Sequence, residues 1–314
     1  MLYSAYGLRV DSTFALPGSE PVAQERTDLP ALDVDLVTPG ELAELWHVAN
    51  ARTEWLGMLG DGRTLTIERG EGGDRLFRYG ELASFHLDDR MLRLACAPTS
   101  VGLDWQRALI TKVIPAISVM RGYEALHAAA VETPRGVVAI MGPPGSGKST
   151  LASTLLSRGL SLFTDDVLTL SSMAGNVIAH PGTPHMNLES PPALGRDSDD
   201  FGDTLAVLGG ERWLSVRSAS DRPRPVRMLA LLERGSGLRL DIEVLQPNPL
   251  ALAPYMLGLS DARARQRVRF DLYADLLQSA TLVRLTASAH DSPILLAGLI
   301  ERALADRPES AVTS

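Results

Sequence analysis

The chain has 314 residues, of which 45% are hydrophobic and 22% are charged, and its formal net charge at pH 7 is −8. This composition is typical of a globular protein, the length suffices for two domains, and no apolar stretch reaches the length of a membrane span. The acidic charge argues against general binding to nucleic acids or anionic membranes, and the single cysteine, Cys96, excludes an internal disulfide and predicts a cytoplasmic location.

Residues 1–98 are predicted to form a small β-rich domain. Short alternating runs predict strands at 8–10, 34–37, 65–67 and 82–87. A helix over 41–50 is compatible with the sequence, although Pro39-Gly40 before it fits a loop equally well. The hydrophobic periodicity changes near residue 98, so we place a domain boundary there, with a second domain over 99–314.

The second domain opens with a helical pattern over 101–121. Its apolar residues Leu109, Val113, Ile117 and Met120 recur at helical spacing, and Pro115 is expected to kink the helix. A strand over 126–131, a turn at 134–136 and an apolar strand over 137–141 then lead to a glycine-rich loop.

Alternating strands and helices are predicted beyond that loop. A helix from Thr150 to Arg158 ends at Gly159, which is a natural C-terminal cap. Further strands are expected at 160–164, 167–170, 177–179, 229–232, 238–245 and 281–285. Further helices are expected at 250–259, 261–280 and 294–305. Residues 190–212 are rich in Pro, Gly and Asp, which predicts a mobile loop.

Two groups of arginines are interpreted as solvent-exposed. Arg263, Arg265, Arg267 and Arg269 alternate along a predicted helix, which favours a solvent-facing surface. We interpret the segment that contains Arg222, Arg224 and Arg227 as a solvated loop with charged ends. The alternative is that these arginines contact a phosphate or an acidic substrate.

The glycine-rich loop has a sequence pattern that predicts phosphate binding. Residues 142–149 match the pattern G-x-x-x-x-G-K-[ST] of a phosphate-binding loop. Its glycines allow backbone N–H groups to turn toward phosphate oxygens, and the following helix adds the positive end of its dipole. Lys148 can reach the outer phosphates, and the Ser149 hydroxyl can bind Mg²⁺. The predicted nucleotide-binding residues are Gly142, Pro143, Pro144, Gly145, Ser146, Gly147, Lys148, Ser149 and Thr150.

Three further residues are candidates for the reaction. His127 lies on a strand before the loop, and a strand–turn–strand connection would bring it beside the nucleotide. Asp165 and Asp166 end the strand after the loop helix, at an edge where ligands bind in open α/β sheets. Adjacent strand residues project to opposite sides, so we expect different roles. One carboxylate can hold Mg²⁺ and the other can accept a proton from a hydroxyl nucleophile.

Together these residues resemble the catalytic domain of HPr kinase/phosphorylase. The resemblance rests on Leu126-His127-Ala128, residues 142–149, Ser157-Arg158-Gly159 and Asp165-Asp166. It implies a P-loop nucleotide-binding domain of the HPr kinase/PEP carboxykinase-like type, with a mixed central sheet and flanking helices. It also implies ATP and Mg²⁺ as ligands and a set of roles. These are His127 as active-site histidine, Lys148 as loop lysine, Ser149 as magnesium ligand, Asp166 as proton acceptor and Asp165 as its neighbour near the metal.

The chain also departs from that family. Bifunctional members carry a signature resembling Leu-x-x-Arg-Gly-Leu-Gly, which is linked to the reverse reaction. Residues 185–195 contain Glu189 and a Leu-Gly step but no Arg-Gly pair, which argues against dephosphorylation and leaves Glu189 open as a second metal ligand. The opening residues 3–8 are similar to HPr-kinase-like proteins of peptide natural-product pathways, such as those of lasso peptides.

The leading hypothesis is an ATP-dependent serine kinase. Its acceptor would be an HPr-like protein or a natural-product precursor peptide, recognised by residues 1–98 and 190–212. The alternatives are a nucleotide-gated regulatory protein that transfers nothing, and a small-molecule kinase with the same site residues. A homo-oligomer is compatible with the resemblance, since the resembled enzymes are hexamers.

Overall fold

The computed structural model shows a mixed α/β protein with two large sheets and a small one in the part of the chain that it describes. The residues described are 1–22, 26–48, 50–59, 62–189, 202–219, 221–257 and 263–305. Within these ranges, no helix is both long and apolar enough to cross a lipid bilayer.

The first large sheet has eight strands. They are β1 (Leu2–Ala5), β2 (Leu8–Ser12), β3 (Ala31–Leu36), β4 (Arg52–Met58), β5 (Thr64–Arg69), β6 (Arg75–Tyr79), β7 (Ala83–Asp88) and β8 (Arg93–Pro98). Their order is β1-β2-β3-β8-β7-β6-β5-β4, and only β2–β3 and β3–β8 are parallel pairs among the described strands of this sheet. The sequence predicts β2, β3, β5 and β7, so half of the sheet is confirmed and the other four strands were missed.

A short helix, α1 (Pro39–Leu45), follows β3. The Thr38 hydroxyl accepts a hydrogen bond from the Glu41 N–H, and the Glu41 carboxylate accepts one from the Thr38 N–H. This capping box allows Pro39 and Gly40 to occupy the first helical positions, so the loop alternative at these two residues is wrong. The helix ends at Leu45 rather than near residue 50.

The helix predicted over 101–121 is present but irregular. It consists of α2 (Asp104–Ala108), a π-helical turn over Leu109–Val113 and α3 (Ile114–Met120). The N–H of Ile114 donates to the carbonyl of Leu109, five residues earlier. Pro115 has no N–H to offer the carbonyl of Thr111, which accounts for the irregularity just before it.

One face of this helix packs into the core of the first sheet. Trp105, Ile110 and Ile117 belong to the same buried cluster as Phe77 and Phe85 of that sheet. The cluster therefore contains residues from both sides of residue 98. The division of the chain into domains 1–98 and 99–314 stays a prediction.

Twelve further strands are described. They are β9 (Glu124–His127), β10 (Ala129–Thr133), β11 (Gly136–Met141), β12 (Ser161–Thr164), β13 (Val167–Met173), β14 (Asn176–His180), β15 (His185–Leu188), β16 (Asp203–Leu208), β17 (Glu211–Ser215), β18 (Arg224–Arg234), β19 (Asp241–Val244) and β20 (Thr281–Ala287). The remaining helices are α4 (Lys148–Ser157), a 3₁₀ helix (Pro249–Tyr255), α5 (Arg263–Ser279) and α6 (Pro293–Ala305).

The second large sheet is mixed and is covered on both faces. Its order is β12-β10-β11-β18-β14-β13-β9, with β20 beside β18 and β19 outside β20. Alternate residues of β11 face opposite sides: Ala139 packs in the cluster that includes Tyr273 of α5, and Ile140 packs in the cluster that includes Leu151 of α4 and Ile300 of α6. This alternation explains why β11 is apolar throughout.

Several predicted elements differ from the structure. The strand expected over 126–131 is divided into β9 and β10 at Ala128, and the helix expected over 250–259 is a 3₁₀ helix with Pro254 inside it. The loop prediction over 190–212 is wrong for its last part, because β15, β16 and β17 form a three-stranded sheet. Residues 190–201 lie outside the described residues.

The arginines of α5 also differ from their interpretation as a solvent-facing row. Glu124 on β9 is buried, and its carboxylate accepts hydrogen bonds from Arg265 Nη2 at 3.2 Å and Arg269 Nε at 2.6 Å. Arg267 is exposed and lies 4.0 Å from the exposed Asp271. Two of these arginines therefore neutralise a buried carboxylate and attach α5 to the sheet.

We expect Glu124→Ala to lower the free energy of unfolding by about 3–5 kcal/mol, because it leaves two largely buried arginines without their counterion. Asp271→Ala on the same helix is the matched control, and removal of its exposed pair should cost less than about 1 kcal/mol. Urea denaturation of both variants measures the difference. Equal losses would show that the Glu124 pair does not anchor α5.

His185 is a second buried polar group that affects stability. Its ring stacks on Trp213 with centroids 4.9 Å apart, and its Nε2 donates to the Pro17 carbonyl at 2.6 Å. Burial lowers the pKa of His185 from 6.5 to about 4, although the Pro17 carbonyl opposes this shift. The unfolded chain binds a proton near pH 6.5, whereas the folded protein resists protonation down to about pH 4. Its contribution to stability is therefore complete above about pH 6.5 and is lost as the pH falls toward about 4.

Lowering the pH from about 6.5 to about 4 should thus cost about 1–3 kcal/mol through His185. In His185→Gln this part of the acid sensitivity should disappear, so the slope of unfolding free energy against pH becomes smaller. His290→Gln, at an exposed histidine, is the control. An unchanged slope in His185→Gln would contradict the assignment.

Candidate active site

The glycine-rich loop, residues 142–149, connects the end of β11 to the start of α4. Gly147 is the N-cap of α4 with φ of +90°, and Gly145 has φ of +75°. A Cβ on Gly142 would lie 2.6 Å from Ser146 Oγ and 2.7 Å from the Leu232 carbonyl oxygen of β18. The first glycine is therefore required by close packing, and the later two by a left-handed backbone.

Lys148 folds back over this loop. Its Nζ donates to the carbonyl oxygens of Gly142 at 3.0 Å and Pro143 at 3.3 Å. Burial lowers the pKa of Lys148, and the nearby carboxylates of Asp166 and Asp165 oppose this shift. The ammonium group is thus held at the mouth of the loop by neutral acceptors, which an anion could replace.

Ser149 and Asp165 form a polar pair beside the start of α4. The Ser149 hydroxyl donates to Asp165 Oδ1 at 2.9 Å, and the Asn187 N–H donates to Oδ2 at 3.1 Å. Asp165 is buried, and burial together with the charge of Asp166 raises its pKa. Both oxygens of this carboxylate are oriented by neighbours on α4 and β15.

Asp166 lies at the centre of a tight turn between β12 and β13. The Val167 N–H donates to the Asp165 carbonyl at 2.9 Å, and Asp166 has φ of +71°, which is strained for a residue with a side chain. The two carboxylates therefore belong to a turn rather than to the strand end that the sequence predicts. They have different partners, as expected, since Lys112 Nζ donates to Asp166 Oδ2 at 3.3 Å.

The charge of Lys112 is the main reason that the pKa of Asp166 is lowered. The pKa of the neighbouring Asp165 shifts in the opposite direction, since it is raised. Opposite pKa shifts at two adjacent carboxylates show that the two groups lie in different electrostatic environments.

His127 ends β9 and is aligned with Val167 of β13. Its Nδ1 lies 2.9 Å from the Asp166 carbonyl oxygen, which can only accept, so Nδ1 carries the proton and Nε2 of the neutral ring is an acceptor. Burial lowers the pKa of His127, which favours the neutral form. The connection from β9 through β10 to β11 brings this histidine beside the loop, as the sequence predicts.

These residues line one cleft of about 720 Å³. The predicted residues among those lining it are His127, Pro144, Gly145, Gly147, Lys148, Ser149, Thr150 and Asp166. Gly142, Pro143, Ser146 and Asp165 lie behind this surface and support it through the contacts described above. The buried Ser146 hydroxyl has no hydrogen-bond partner among the described residues.

Further lining residues come from elements that the sequence did not connect to the site. Leu59 follows β4 and Tyr79 ends β6 of the first sheet, and Arg107, Thr111 and Lys112 come from the irregular helix. The sequence carries a signal for the helix residues, because Arg107, Thr111 and Lys112 are polar at positions i, i+4 and i+5, on one side of the helix. The cleft is thus shared by both large sheets.

Two other groups considered from the sequence have different positions. Glu189 lines the cleft, which keeps it open as a second metal ligand. Arg224 Nε pairs with Glu132 at 2.9 Å, and Arg227 Nε donates to the Arg135 carbonyl at 2.8 Å. The last two arginines therefore support the turn between β10 and β11, and none of the described cleft residues comes from that arginine-rich run.

The donor set fits magnesium bound together with phosphates, but not a metal held by protein alone. No group of three or more His, Cys, Asp or Glu side chains in the described ranges could hold a metal ion. Ser149 and Asp165 supply two oriented oxygen donors 2.9 Å apart. Mg²⁺ commonly takes one or two protein ligands, with phosphate oxygens and water completing its octahedron.

No known protein-family profile matches this chain, and no curated protein matches it either. Among solved structures, it is similar to the Hpr(Ser) kinase/phosphatase from Coxiella burnetii, with 14% sequence identity and a TM-score of 0.33. The match covers 58% of this chain and 96% of that chain. This similarity is distant.

We expect Gly142→Ala to weaken ATP binding by at least about 10-fold and to lower stability by about 1–3 kcal/mol, because its Cβ would overlap two neighbours. Gly298→Ala in α6 is the matched control, since no atom lies within 4 Å of the added Cβ. This control should bind ATP normally and be stabilised by about 0.5–1 kcal/mol. Fluorescent-nucleotide titration and thermal denaturation test both, and normal binding by Gly142→Ala would contradict the role of the loop.

Proposed function

We propose that the protein is an ATP-dependent kinase that transfers the γ-phosphoryl group of ATP to a serine hydroxyl of a protein or peptide. The observation that carries this proposal is the convergence of His127, Lys148 and Asp166 on one cleft. A protein that only binds a nucleotide needs the loop and its lysine. It has no use for an oriented histidine and a carboxylate held in a strained turn beside them.

Nucleotide binding is assigned to the glycine-rich loop in its P-loop role. Backbone N–H groups of the loop and the first turn of α4 would face the phosphates, and Lys148 would exchange its two carbonyl partners for phosphate oxygens. Ser149 and Asp165 would hold Mg²⁺, whose charge offsets that of the phosphates when it is bound.

Transfer is assigned to Asp166 with His127 beside it. The serine oxygen attacks the γ-phosphorus, the serine proton passes to the Asp166 carboxylate, and the bond to the bridging oxygen breaks so that ADP leaves with the electron pair. Little covalent chemistry is required of the protein, so positioning and electrostatic stabilisation supply most of the rate gain. Because the serine proton goes to Asp166, Nε2 of neutral His127, which can only accept, would take its hydrogen bond from an N–H of the bound acceptor.

The acceptor is proposed to bind between the two sheets. Leu59 and Tyr79 line the same cleft as Lys148, so a bound acceptor would contact the first sheet as well as the loop. This supports acceptor recognition by residues 1–98. An HPr-like protein and a natural-product precursor peptide are the two acceptor classes to compare, and a homo-oligomer stays a prediction.

Asp166→Asn should retain ATP affinity and reduce serine phosphorylation by about 10²- to 10⁴-fold, because the amide cannot accept the hydroxyl proton. Incubation with γ-labelled ATP and a panel of serine-containing peptides measures transfer, and nucleotide titration measures binding. Asp271→Asn, at an exposed aspartate of α5, is the control. Wild-type turnover in Asp166→Asn would overturn the role given to this residue.

The same assay separates the alternatives. Tight ATP binding by the wild type without labelling of any hydroxyl acceptor would favour a nucleotide-gated regulatory protein. Labelling of free serine or another small hydroxyl compound, but of no peptide, would favour a small-molecule kinase.

A further inference from the structure

The chain contains only two lysines, and both lie in the same cleft. Of the 30 Lys and Arg residues, 28 are arginines, and the two lysines are Lys112 and Lys148. Both line the same cleft. A chain that uses arginine for its other basic positions has kept lysine only here, which indicates that these positions need a compact ammonium rather than a planar guanidinium.

The setting of Lys112 is unusual for a purely structural lysine. It belongs to the π-helical turn, where Leu109, Ile110 and Val113 are fully buried in the core of the first sheet. Lys112 itself is about one-third exposed and lines the cleft, where its Nζ lies 3.3 Å from Asp166 Oδ2. π-Helical turns inside α-helices are frequent at functional sites.

A stabilising salt bridge is a poor explanation for this contact. The Lys112 and Asp166 side chains are 33% and 27% exposed, whereas Glu124 in the arginine pair of α5 is 2% exposed, so the Lys112 contact contributes less to folding than that pair. The contact also holds Asp166 in a turn with φ of +71°, next to the carboxylate of Asp165, where neighbouring negative charges repel. A cation opposite Asp166 offsets that repulsion and fixes the direction of the carboxylate.

We propose that Lys112 is a positioning residue of the transfer site, whose ammonium holds the Asp166 carboxylate toward the acceptor hydroxyl. This inference rests on the proposed function, since it gives Lys112 its effect through the proton acceptor. Because Lys112 Nζ contacts Oδ2, Oδ1 of the same carboxylate is the oxygen that would face the acceptor hydroxyl.

The kinetic test compares Lys112→Met with Lys112→Arg. Lys112→Met should reduce transfer from γ-labelled ATP by about 10- to 100-fold at unchanged ATP affinity, because a misplaced reacting group costs about that much. The acceptor is the serine peptide that the wild type labels most strongly. Lys112→Arg should restore only part of the loss, since the larger guanidinium does not fit the same contact. Melting temperatures should stay near that of the wild type.

The decisive comparison is a double-mutant cycle. In an Asp166→Asn background, Lys112→Met should cause little further loss, because the residue through which it acts is already disabled. A purely structural contribution would lower turnover equally in both backgrounds. Equal turnover of Lys112→Met and the wild type, or additive losses in the cycle, would overturn the inference.

The scarcity of lysine also supplies a spectroscopic readout that is independent of activity. We expect two signals in the ¹⁵N NMR spectrum of protein labelled at its lysine side chains, one for Lys112 and one for Lys148. The Lys112→Met variant assigns them. The Lys112 signal should shift in Asp166→Asn and should not shift in Asp271→Asn. A wild type that neither binds ATP nor phosphorylates any acceptor, but shows this shift, would refute the proposed function while leaving the contact intact. The absence of a shift would refute the contact itself.

Discussion

The structure depends on strand β18, where the two halves of the second sheet meet. Its first residues pair with β14, and its later residues run parallel to β11 on one side and to β20 on the other. The parallel pairing with β11 fixes the level at which that strand ends, and the Leu232 carbonyl of β18 lies directly against Gly142. The position of the glycine-rich loop is therefore set by hydrogen bonds between strands that are far apart in the sequence.

That framework also explains how the site concentrates charge. Two aspartates and two lysines meet where β12, the loop and the irregular helix converge, and each carboxylate is satisfied differently. Asp165 is held by hydroxyl and backbone donors and faces away from bulk water, whereas Asp166 is paired with an ammonium on the open side. The pKa values of the two adjacent aspartates are therefore shifted in opposite directions. The tight turn centred on Asp166 directs their side chains to different partners.

The parts of the site that could be predicted are those encoded by local patterns. An apolar strand, a glycine-rich loop and a helix are contiguous in the sequence, and Asp165-Asp166 form the turn before β13, the strand that pairs with the strand of His127. Lys112 could not be found in this way, because its place depends on packing of a helix against a sheet formed by earlier residues. The positive φ of Asp166 has no local signal either, since aspartate rarely adopts it. Strands β16 and β17 were missed because their Gly- and Asp-rich surroundings resemble a loop.

The helix between the two sheets has one face in the core of the first and the other in the wall of the cleft. Because this helix packs against the first sheet and also lines the cleft, it cannot be exchanged together with only one of them. If the first hundred residues were replaced by recombination with another sheet, the helix would lose its hydrophobic support and the cleft would lose a wall at once. Evolutionary change in what the cleft binds would thus proceed by substitutions on the existing surfaces, such as those that Leu59 and Tyr79 form, rather than by exchange of domains.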